Sequence, residues 1–211
     1  MIQYNFQLKS GKSLRFDIDP ERSYTADEDR KDLAEWTKLP FKQCTNCPLA
    51  KEKYQHCPVA VDLVKVIGDF SNTASFETAT VIVQSPSREI KKECDVQTGL
   101  NSMLGLIMAT SGCPILSHLK NLANFHLPFS TYEETLFRTV GGFLIKQYFI
   151  HKRGGKPDLD LKGLDQFYRD LGVVNSCFVE RIQAATEQDA SANAVVLYWS
   201  ISSIVTGKVF S

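Results

Sequence analysis

Apolar and polar residues alternate at the start of the chain. Ile2, Tyr4, Phe6 and Leu8 occupy every second position. After the turn residues KSGK, Leu14, Phe16 and Ile18 resume the alternation. Period two places one face of each segment in a core and predicts a β-hairpin with a short Gly-containing loop. A second hairpin is predicted in FETATVIVQSPSREIKKECD at 76–95. Its first arm, 78–84, is rich in β-branched residues, SPS supplies the turn, and 88–94 returns. A lone hairpin is marginal in water, so the two are expected to share one small antiparallel sheet. Between them, DPERSYTADEDRKD is polar and turn-rich, and DLAEWTKL predicts one or two helical turns before Pro40. Val59, Leu63, Val66, Ile67 and Phe70 recur at helical spacing.

Beyond residue 95 the period changes. VQTGLNSMLGLIMATSG reads as an apolar helix with Gly112 as its C-terminal cap, and PILSHLKNLANF as a short helix opened by Pro114. STYEETLFRTVGGFLIKQYFIHKRGG carries a capping box, Ser130 with Glu133 or Thr131 with Glu134, and a stop at Gly154-Gly155. The segment 160–188 predicts one or two helices, and 189–208 a last one. The fold expected is α+β: N-terminal β-hairpins forming a small antiparallel sheet, followed by a C-terminal helical bundle. No linker rich in Gly, Pro or Ser divides the chain. A single domain over 1–211 is expected, with hairpins and a cysteine-rich segment in 1–95 and the bundle in 96–211.

The 211 residues suffice to bury a core without disulfides or metal, so any metal site is free to be functional. Lys+Arg and Asp+Glu are both 24, which argues against a nucleic-acid partner. HKRGGK at 151–156 is read as a solvated helix end. There is no apolar leader, and AVVLYWSISSIV at 194–205 is short and holds three serines, so no membrane span is expected. These features point to the cytoplasm, where six cysteines serve as ligands, reactive groups or core residues rather than disulfides.

The chemistry concentrates in CTNCPLAKEKYQHCP at 44–58 and SGCP at 111–114. Cys47, Cys57 and Cys113 each precede a proline. Proline suits the first helical turn and the residue before it is pushed out of helical angles, so each cysteine is a natural N-cap. Free N–H groups there favour thiolate, the form that binds metal or attacks electrophiles. Cys44 and Cys47 form a chelating C-x2-C pair, Cys57 offers a third ligand, and Cys113 is the preferred fourth, with His56, His118 and His126 as alternatives. Four sulfurs suit zinc, taken first, or an iron–sulfur cluster; Cys-Pro occurs in bacterial ferredoxin motifs, although their full run of cysteines is absent. Without metal, the same thiols are small buried residues. Cys94 and Cys177 are read as core packing.

A second constellation competes. Cys113 as nucleophile, His126 as base and Glu134 as orienting carboxylate meet the needs of a thiol enzyme, with Ser111 and Gly112 offering backbone N–H groups to an oxyanion. Each also has a plain explanation: a cap for Glu134, a buried satisfied imidazole for His126, a helix ion pair for Arg138. A third reading takes the apolar C-terminal helices, with Gly141-Gly142, as a homodimer interface or a pocket, and plain core packing is preferred to it. No P-loop, dinucleotide-binding glycine pattern, HExxH or GxSxG is found. The runs QCTNCPLAKEKYQHCPVA, GLIMATSGCP, and FHLPF with ETLFR resemble a group of uncharacterised bacterial proteins. That resemblance implies a bacterial cytosolic protein and carries no activity, ligand or catalytic residue.

Overall fold

The computed structural model describes residues 1–22, 33–70 and 73–186. Strands β1 (Ile2–Leu8), β2 (Ser13–Ile18), β3 (Thr78–Ser85) and β4 (Arg88–Asp95) form one antiparallel sheet in the order β2-β1-β3-β4. The two predicted hairpins are joined through β1 and β3, with Phe6 opposite both Leu14 and Val81. Alternation makes one face apolar: Tyr4, Phe6, Phe16, Val81 and Val83 are buried. Phe6 meets Phe16 and Phe70 edge-on, at ring separations of 6.2 and 5.1 Å.

Helices cover that face. Helix α1 (Pro58–Phe70) contributes Val59, Leu63, Val66 and Phe70 to the core, and α2 (Val96–Ala109) contributes Leu100, Met103, Leu104 and Ile107. Asp95 caps α2 by accepting from the Thr98 N–H at 2.6 Å. Gly99 lets α2 lie on the sheet, because a Cβ there would sit 2.6 Å from the Phe6 ring and 2.9 Å from Val81. Arg22 locks the two helices together, donating to Asp62 of α1 at 2.8 Å and to the carbonyls of Ile107 and Thr110.

Several expected ends shift by a turn. Helix α2 stops at Ala109 because the hydroxyls of Thr110 and Ser111 donate back to the carbonyls of Leu106, Ile107 and Met108, so Gly112 is not its cap. The segment after Pro114 begins as a 3-10 turn, Leu116–Leu119, before α3 (Lys120–Asn124); the Ser117 hydroxyl donates to the Pro114 carbonyl at 2.6 Å. The turn before Pro40 is likewise 3-10, Glu35–Thr37. Helix α4 (Tyr132–Lys152) takes the Thr131–Glu134 form of the capping box. It ends in a Schellman motif: the Gly155 N–H reaches the Ile150 carbonyl and Gly154 stands at φ +79°. Helix α5 (Lys162–Thr186) is one continuous helix, its first N–H groups held by the Asp158 carboxylate. One core cluster runs from Ile2 to Ile182. Helix α4 contributes little to it; Phe137, Ile145, Tyr148 and Phe149 are at least half exposed. A Cβ at Gly141 or Gly142 would meet nothing within 4 Å among the described residues. The helix expected over 189–208 lies outside the described residues.

Candidate metal centre

Residues 33–57 form a folded-back loop that delivers the first three cysteines. Two short stretches run antiparallel: Leu39 N–H donates to the Gln55 carbonyl at 2.8 Å, and Cys57 N–H to the Thr37 carbonyl at 2.7 Å. Thr37 is fully buried, and its hydroxyl donates to the Ala34 carbonyl and meets His56 Nδ1 at 2.8 Å. Between these stretches, the Cys47 N–H donates to the Cys44 carbonyl at 3.0 Å, closing a turn over the C-x2-C pair. Asn46, inside that turn, donates to the Asp170 carbonyl of α5 at 3.0 Å, while its buried Oδ1 has no partner among the described residues.

Cys57 and Cys113 take the N-cap geometry their prolines imply, whereas Cys47 does not, because no helix begins at Pro48. The Cys57 sulfur receives the N–H groups of Val59 and Ala60 at the start of α1, and the Cys113 sulfur those of Ile115 and Leu116. Cys44, Cys57 and Cys113 all pack against the core. The loop, the start of α1 and the segment after α2 thus bring the four proposed ligands into one neighbourhood. Burial pushes the Cys44 thiol up, and the like charges of Cys177, Cys57, Cys113 and Cys47 push it further. Cys47 in turn acts on both Cys57 and Cys113. The expected lowering of Cys57 and Cys113 is reversed: the N–H bonds do favour thiolate, but burial outweighs them, and Cys113 rises to about 11.

Two residues of α5 complete the neighbourhood. Cys177 and Arg181 stand four apart on that helix, and the charges of Cys57, Cys44, Cys47 and Cys177 all act on Arg181. The Arg181 guanidinium is only 1% exposed. It donates to the carbonyls of Trp36 at 2.6 Å, Lys38 at 2.8 Å and Leu39 at 3.2 Å, and lies 5.8 Å from the centre of the Phe41 ring. Among the described residues no carboxylate forms an ion pair with it. Sequence reading placed Cys177 in the core and passed over Arg181. Their spacing of four was the available signal, but nothing in it tied these residues to a loop at least 120 residues away (177 − 57 = 120).

The histidines are engaged elsewhere. His56 faces Thr37, His118 is exposed with its ring 5.5 Å from Phe167, and His126 Nε2 lies 2.6 Å from the Tyr4 hydroxyl. Burial first, and the Arg138 charge second, hold His126 down at about 4, so its imidazole is neutral at pH 7. Glu134 is taken by the capping box, its carboxylate accepting from the Thr131 N–H at 2.7 Å. Arg138 donates to the carbonyls of Leu122 and Phe125. The parts of the Cys-His alternative are therefore dispersed: Cys113 stands with the other cysteines, and His126 lines a separate cavity without it. Cys94 packs from β4 against the core. Among the described residues, no three His, Cys, Asp or Glu side chains close in on a single ion position. None of their helices is long and apolar enough to cross a membrane.

None of the curated proteins and none of the solved structures matches this chain. A family model does, over residues 2–209. Its span takes in the hairpins, all six cysteines and the helices, and the chain belongs to the family described as domain of unknown function DUF6901.

Proposed function

We propose that this chain is a cytoplasmic, single-domain metal protein whose centre is held by Cys44, Cys47, Cys57 and Cys113. One observation carries the reading: Cys44, Cys47 and Cys57 stand with Cys177 beside Arg181, a buried cation for which no described carboxylate supplies the opposite charge, and Cys113 stands near Cys44. Burying a charge without a counter-charge is costly. Four thiolates around a metal carry net negative charge and supply that counter-charge. The N–H groups aimed at Cys57 and Cys113 act in the same direction. Burial keeps the thiols of Cys44, Cys57 and Cys113 protonated, and the metal displaces those protons as it binds.

The all-sulfur set takes zinc first, with an iron–sulfur cluster as the alternative. One zinc ion would draw the sulfurs to roughly 4 Å from one another. A cluster interposes its own sulfides and accepts thiolates that stand further apart. Because the ligands come from the loop, the start of α1 and the segment after α2, the centre would tie the N-terminal half to the C-terminal helical bundle we propose for 96–211. Its role is structural, or sensory toward metal or redox state. Replacing Cys44 or Cys113 by Ser is expected to remove bound metal and lower the melting temperature together, while Cys94→Ser leaves both unchanged. Unchanged metal content in Cys44→Ser and Cys113→Ser would overturn the reading.

The exposed apolar residues Phe137, Ile145 and Tyr148 of α4 favour a second property, a homodimer through this helix. Sedimentation is expected to show a dimer that Ile145→Asp dissociates; a monomer at all concentrations would contradict it.

A further inference from the structure

A cavity of about 530 Å³ opens between α2, α3, the start of α4 and α5, apart from the cysteines. Its wall is mainly apolar, with Leu106, Leu122, Ala123 and Leu171. Volume and lining are those of a site for a drug-sized molecule. Its charged groups are few and of one sign. Arg138 and Lys92 line it, and no described lining residue is acidic. Arg138 donates to the carbonyls of Leu122 and Phe125 from Nη2, which leaves its Nε and Nη1 groups beyond those two bonds. Lys92 stands 5.4 Å from the centre of the Phe129 ring at the same cavity. On the α2 side, the buried Oδ1 of Asn101 has no partner among the described residues, an acceptor aligned with nothing in the protein that donates to it.

We propose that this cavity binds a small organic acid with an apolar body, its carboxylate taken by Arg138 and Lys92 and a hydroxyl near it donating to Asn101. A guanidinium suits a carboxylate because its N–H groups form a planar fork. The aliphatic part lies against Leu106, Leu122, Ala123 and Leu171. The site is independent of the metal centre, since no cysteine lines it.

Titration calorimetry on the full chain with decanoate, 3-hydroxydecanoate and decanol tests this. Decanoate is expected to saturate one site per chain, with decanol at least roughly ten-fold weaker because it lacks the charge. The hydroxylated acid is expected to bind about three- to ten-fold tighter than decanoate, an advantage that Asn101→Leu abolishes. Arg138→Gln is expected to weaken decanoate about ten-fold or more. Should that variant lose its fold with the bonds to Leu122 and Phe125, Lys92→Gln makes the same test from an exposed position. No saturable binding of either acid, equal binding of decanol and decanoate, or wild-type affinity in Lys92→Gln and folded Arg138→Gln would overturn the proposal.

Discussion

His126 sits at the end of a chain of polar groups threaded into an apolar core. The Phe129 N–H donates to Ser102 Oγ at 3.1 Å, Ser102 Oγ meets the Tyr4 hydroxyl at 2.7 Å, and that hydroxyl meets His126 Nε2 at 2.6 Å. The imidazole is satisfied in its neutral form, and burial with Arg138 nearby makes the charged form costly. Its folded value of about 4 lies below the ordinary 6.5, so the unfolded chain takes up this proton first as pH falls. Stability is therefore full above about 6.5 and declines down to about 4, by ~3 kcal/mol for this group. Denaturant midpoints across that window are expected to fall in the wild type. A flat profile would show that His126 is not held neutral. At this scale the sequence was informative about type more than partner. A histidine between Phe125 and Leu127 reads as buried and satisfied, but Tyr4 lies 122 positions away. Cys57 and Cys113 were legible as N-caps because proline acts on its immediate neighbour. The sign of their shift was not, since burial is a property of the whole fold.

Elements follow the same division between local and distant causes. The hairpins, the second arm returning at Arg88 and the capping box of α4 were legible, because each depends on residues within a few positions. The 3-10 turn after Pro114 and the early end of α2 were not. They depend on hydroxyls competing for backbone carbonyls, and an apolar pattern does not register that. Gly99 shows how the helix layer meets the sheet. A methyl group there would press on Phe6, which is itself wedged against Phe16 and Phe70. Overpacking of a full core costs about 1–3 kcal/mol, and alanine returns up to about 1 through helix propensity. Gly99→Ala is expected to destabilise by on the order of 1 kcal/mol. A gain in denaturant midpoint would mean that α2 has room to lift from the sheet.

On the scale of the molecule, the chain builds a sheet covered by α1 and α2, then sends α5 back to the loop that carries the C-x2-C pair. Arg181 and Asn46 hold that return, the one reaching three loop carbonyls and the other the Asp170 carbonyl. Of the four cysteines proposed from sequence, Cys47, Cys57 and Cys113 lie near enough to act on the charge of Cys44, though no three described ligand side chains close in on one ion position; no spacing rule could establish this for Cys113, 56 residues beyond Cys57 (113 − 57 = 56). Cys177 and the buried Arg181 beside it became visible only with the fold. The most direct measurement is the iron, zinc and sulfide content, with the visible absorbance spectrum, of untagged full-length protein purified without air. The account predicts about one zinc per chain in a colourless protein, lost in Cys44→Ser; iron and sulfide in a brown protein would keep the centre and change its metal. A folded wild-type protein free of both metals would contradict the central claim.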